Sequence, residues 1–138
     1  NFQHNVIAHA SYGALGVYDA QGSTVASNLF LNNSGVILQM RAGNGSDQTS
    51  DGVQWRGNRV VDTRGTMPNA CEIQSHELRN FTATNNVYWN NGSAVPSESD
   101  CGFVPATESG ARVENPGFED VRITTYEQAM ALVDRVPQ

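Results

Sequence analysis

Thr84–Asn91 reads TNNVYWNN, three apolar residues held between two pairs of asparagines. Asn is a poor helix former, and Val, Tyr and Trp favour extended chain, so the stretch reads as a short strand flanked by turns. Its meaning depends on whether it recurs. Similar segments are FQHNVIAH (Phe2–His9), VASNLFLNN (Val25–Asn33) and WRGNRVVDT (Trp55–Thr63). Aligned on Asn5, Asn28, Asn58 and Asn86, the segments stand 23, 30 and 28 residues apart.

A finer pattern supports the alignment. Phe2, Val25, Trp55 and Ala83 lie three positions before each anchor, and Ile7, Phe30, Val60 and Tyr88 lie two after. Alternation before the Asn is the period of a strand. The Asn breaks it, as a turn residue able to adopt the left-handed region would. Between anchors lie further apolar stretches, Leu15–Asp19, Gly35–Arg41 and Ala70–His76. Units of this size bury little alone and must stack. Stacking sets equivalent positions about 4.8 Å apart, so side-chain amides at the corners can donate and accept in a ladder.

These four repeats resemble the right-handed parallel β-helix family of pectate-lyase-like proteins. The resemblance covers roughly residues 1–91 and implies an all-β fold, a right-handed parallel β-helix solenoid with a C-terminal capping α-helix. The expected organisation is stacked coils over 1–91, an irregular last coil and closing loop over 92–123, and a helix over 124–136. ENPGFEDV (Glu114–Val121) is similar to the closing segment of bacterial β-helix carbohydrate enzymes. In TTYEQAMALVDR, Thr124 with Glu127 or Thr125 with Gln128 suits a capping box. Tyr126, Met130 and Val133 form the expected apolar stripe, with Ala129 and Leu132 beside it, set to cover the C-terminal end of the coils. The first repeat is in register from Phe2 onward, so the single domain reads as part of a longer chain.

The bulk numbers narrow the partners. The chain has 138 residues, 38% hydrophobic, with a net charge of −6 and eight basic residues, all Arg. Its mean hydropathy is −0.43 and its pI about 4.8. Nucleic acid and anionic membranes need a concentrated positive face, so neither is an expected partner. Cys71 and Cys101 belong to no CxxC pair and suit either a disulfide or two buried thiols.

In the family resembled, the working groove runs over one strand face. That implies outward positions Tyr18, then Ile37, Gln39 and Arg41, then Glu72, Gln74 and His76. Tyr18, Gln39 and Gln74 would bind substrate, while Arg41, Glu72 and His76 would be catalytic. Arg would pair bidentately with a uronate carboxylate, and His or Glu would move a proton. The resemblance implies a secreted, extracellular protein acting on polysaccharide as lyase, epimerase or glycosidase. The alternative is a non-catalytic glycan-binding, adhesin-like or structural module, and either form can have upstream coils or a second chain at its N-terminal end. No cofactor is expected. The alternative is calcium at Asp47 and Asp51, because GNGSD (Gly43–Asp47) matches half of a calcium-binding repeat.

Overall fold

The structure is a computed structural model that describes residues 1–41, 50–69, 71–73, 78–96, 108–118 and 123–136. Each Asn-centred unit contributes one strand before its corner and one after it. The strands before the corner are β1 (Phe2–Gln3), β4 (Thr24–Ala26), β8 (Gln54–Arg56) and β12 (Thr82–Thr84). Those after it are β2 (Val6–Ala8), β5 (Leu29–Leu31), β9 (Arg59–Val61) and β13 (Val87–Trp89), joined by β14 (Arg112–Val113). Two smaller sheets comprise β3 (Leu15–Tyr18), β6 (Leu38–Arg41) and β10 (Cys71–Ile73), and β7 (Ser50–Asp51) with β11 (Leu78–Arg79).

Every strand pairing among the described residues is parallel. Phe2, Val25, Trp55 and Ala83 stack in one row, and Ile7, Phe30, Val60 and Tyr88 in another. Both rows face the main core, where Phe30 and Trp55 stand 5.1 Å apart between ring centres.

The corner asparagines link the units. Asn28 Oδ1 accepts from Asn5 N and Nδ2 at 2.9 and 3.1 Å. Asn58 Oδ1 accepts from Asn28 N and Nδ2 at 3.0 Å each. Asn86 Oδ1 accepts from Asn58 at 2.8 and 3.2 Å. Each inner carboxamide also donates to a backbone carbonyl of the preceding unit: Asn28 to Phe2, Asn58 to Val25, Asn86 to Trp55. The fifth unit carries Ala111 in the corner row. There the Glu108 carboxylate ends the ladder, accepting from Asn86 Nδ2 at 2.9 Å and from the Tyr88 hydroxyl at 2.8 Å. Burial, then the nearby Glu108 charge, holds the Tyr88 phenol far above its ordinary range, so it stays a neutral donor.

The left-handed residue is not the Asn, as the sequence suggested, but the one before it. His4, Ser27, Gly57 and Asn85 have φ of 56°, 54°, 62° and 57°. That bend turns the strand while leaving the Asn side chain aimed along the stack.

Two further expectations are corrected. The fold is not the all-β right-handed parallel β-helix solenoid with a helix capping its end. The described residues form four parallel sheets of four, three, two and five short strands, with no closed solenoid among them. The arrangement is of α/β type, because helix α1 (Tyr126–Val133) packs on the outer face of the five-stranded sheet. Asn spacing dictates which strands pair, but not how the chain joins one sheet to the next. Leu29, Leu31 and Val61 face away from the core and are covered by Phe118, Leu132 and Val136. Sheets covered on both faces need continuous apolar runs, hence LFL and VYW.

The buried helix stripe also differs. Tyr126 and Met130 are exposed, and Leu132 is the buried contact. The Thr125–Gln128 capping box starts the helix. Arg135 lies over the Phe118 ring at 4.3 Å and accepts Arg59 Nη1 on its carbonyl at 3.0 Å.

Asp62 ties the turn after β9. Its carboxylate accepts from Arg64 N at 2.8 Å, Arg64 Nη2 at 2.7 Å and Thr66 N at 3.4 Å. Burial alone would raise its pKa, but the bonds from Arg64 and Thr66 outweigh this and hold it below 3.8. A carboxyl depressed on folding adds stability above its unfolded pKa and loses it as pH falls through the folded one. Urea unfolding from pH 7 down to pH about 2 should therefore show stability falling below pH about 4, with a shallower fall in Asp62→Asn.

Candidate functional site

The three-stranded sheet β3–β6–β10 carries Tyr18, Gln39, Arg41 and Glu72 of the candidate residues. Tyr18 pairs with Arg41, while Gly16 pairs with Gln39 and Gln39 with Glu72. Strand alternation therefore puts Gly16, Tyr18 and Gln39 at like positions of neighbouring strands, while Arg41 and Glu72 hold the register positions beside Tyr18 and Gln39. Gln74 and His76 lie outside the described residues, as do Asp47 and Cys101.

Tyr18 and Gly16 make the local surface. A Cβ on Gly16 would stand 2.7 Å from Tyr18 Cε2 and 3.4 Å from its hydroxyl. The ring therefore lies across the glycine, in space that any other residue would fill. The Tyr18 hydroxyl donates to Gln39 Oε1 at 3.2 Å. Half of the tyrosine surface stays open to solvent, at 50%. A rigid ring held flat with an outer face exposed can stack on an apolar sugar face while nearby polar groups meet hydroxyls.

The placements are mixed. Tyr18 is exposed, as a platform requires. Gln39, expected to face outward, is 5% exposed and bonded to Tyr18, so it orients the ring rather than meeting a ligand directly. Ile37 is part of the core. Arg41 and Glu72 hold adjacent register positions without pairing directly, since Arg41 pairs with Tyr18 and Glu72 with Gln39. Gly16 was missed, although a glycine two residues before an aromatic on a strand is a signal of close packing. Among the described residues, no group of three or more His, Cys, Asp or Glu is placed to hold a metal ion. Among the same residues no helix is long and apolar enough to cross a membrane.

Comparison with protein-family models, curated proteins and solved structures returned no match.

Proposed function

We propose that this chain engages polysaccharide on the outer face of the β3–β6–β10 sheet, with Tyr18 as the stacking platform. The observation that carries the reading is the Tyr18 ring laid over Gly16 and anchored to Gln39, with its remaining surface open. Ordering costs little for a side chain already fixed on both counts, so stacking on the ring loses little affinity to side-chain entropy.

The test is binding to a panel of uronic-acid and neutral polysaccharides by affinity electrophoresis and calorimetry. Tyr18→Ala should weaken binding about tenfold, in the range of a single aromatic anchor. Tyr18→Phe, which keeps the ring and loses the bond to Gln39, should weaken it less. Equal binding by Tyr18→Ala, with an unchanged circular dichroism spectrum, would remove the platform from the account.

A second reading, turnover of the bound glycan, is favoured by Arg41 and Glu72 standing on the same sheet as Tyr18. Arg41 would pair with a uronate carboxylate, while Glu72 and His76 would move protons. Shortened or unsaturated products that vanish in Glu72→Gln and His76→Ala would support it. Products that persist in both variants would exclude those residues.

A further inference from the structure

The five-stranded sheet carries a second group of charged side chains, separate from the β3–β6–β10 sheet. Val87 pairs with Arg59 on one side and with Arg112 on the other, so the two arginines hold like positions of β9 and β14. Leu29 precedes them in the same row and lies on the outer face with Phe118 and Leu132, so the row projects to that face.

Arg59 reaches from the row to the turn after α1, where its Nη1 donates to the Arg135 carbonyl at 3.0 Å. The Arg135 guanidinium lies over the Phe118 ring, 4.3 Å from its centre, and Nη2 donates to the Gly117 carbonyl at 2.7 Å. Arg59 thus has Arg112 along the row and Arg135 at the turn as neighbours. Burial, and then the positive charges of Arg112 and Arg135, hold the Arg59 pKa below its ordinary value, and Glu114 offsets this only in part. Among the described residues, one carboxylate pairs with the group: Glu114, 3.1 Å from Arg112 Nη1. Three guanidiniums against one carboxylate leave two positive charges without an ion pair, in a chain whose net charge is −6. Each fork spends one nitrogen on these contacts, so most of its N–H groups stay open among the described residues.

We propose that Arg59, Arg112 and Arg135 form a binding site for a doubly charged tetrahedral oxyanion, a phosphate or sulfate group, on the outer face of the five-stranded sheet beside α1. Guanidinium forks bind such oxygens two at a time, and the anion supplies the charge that Glu114 alone does not. Arg59 is held by the Arg135 carbonyl, and Arg135 by Phe118 and Gly117, so two of the forks are positioned before a ligand arrives. Arg112 is exposed and can exchange Glu114 for the anion.

The probes are inorganic sulfate and inorganic phosphate, titrated into the whole chain at about pH 7 with ionic strength held constant by chloride, while NMR follows the arginine Nε–H signals. At least one probe should shift Arg59, Arg112 and Arg135 together and saturably, and the tighter of the two identifies the group. Acetate, with a single charge, should bind far more weakly. Arg112→Gln should weaken binding about tenfold, the effect of losing one charge-assisted contact. Glu114→Gln should tighten it severalfold, which a purely structural role for these side chains would not produce. Arg56→Gln, at an exposed arginine on β8 in another sheet, should leave it unchanged. No saturable shift with either probe would overturn the proposal. Equal weakening by Arg112→Gln and Arg56→Gln, the mark of a general counter-ion atmosphere, would overturn it too. Acetate binding as tightly as sulfate and phosphate would overturn the assignment to a doubly charged anion.

Discussion

Asn58→Ala should destabilise the protein by about 4 kcal/mol, since several buried polar groups lose partners at about 1–3 kcal/mol each. Asn58 is fully buried. Truncation leaves Asn28 N, Asn28 Nδ2 and the Val25 carbonyl without the acceptor or donor they now use. Water has no route to replace them at 0% exposure. Asn58→Asp keeps the acceptor but removes the donor to Val25 and places a charge in the core, so it should not rescue. Denaturant unfolding at pH 7 measures both. A loss below about 1 kcal/mol in Asn58→Ala would mean that the corner amides do not hold the units together.

Trp55→Ala should cost about 3–5 kcal/mol, the range for deleting a fully buried large aromatic. Trp55 has no exposed surface, stacks against Phe30 at 5.1 Å and sits in the row between Val25 and Ala83. Its neighbours are held by strand pairing on both sides, so they cannot collapse far into the space. Trp55→Phe fills part of it and should recover about half the loss. Because domains of this size have only about 5–15 kcal/mol in hand, the alanine variant should also melt at a clearly lower temperature. An unchanged melting temperature would contradict the placement of Trp55 at the centre of the core.

These two sites mark what could be read from the residues alone. The Asn spacing predicts the row Phe2, Val25, Trp55, Ala83, and those residues do pair across the sheet. A period of two fixes which side chains share a face, so the core row follows directly. What lies over the opposite face is not written in that period. The apolar run LFL is compatible with a covered sheet, but only the return of α1 and Phe118 identifies the cover. The helix stripe was misread for the same reason. Leu132, expected only at the side of the stripe, meets the sheet with Val136, while Tyr126 and Met130 stay exposed. How the strands close between sheets is likewise invisible to spacing, and the solenoid expectation failed there.

At the candidate site, Tyr18 was an outward position that the family resemblance implied, and it is exposed. Gln39, expected to face outward, is buried and accepts from the Tyr18 hydroxyl, because a tyrosine over a glycine shelters its neighbour. Glu108 escaped notice altogether. It lies outside the repeat, and only the end of the amide ladder gives its buried carboxylate a purpose.

The measurement that bears most directly on the stacked-unit account is hydrogen exchange of asparagine side-chain amides by NMR. Carboxamide protons of Asn28, Asn58 and Asn86 should exchange orders of magnitude more slowly than those of exposed Asn1 and Asn91, because each is held between buried units. Exchange of all five at the same fast rate would contradict the ladder, and with it the stacking of the repeats.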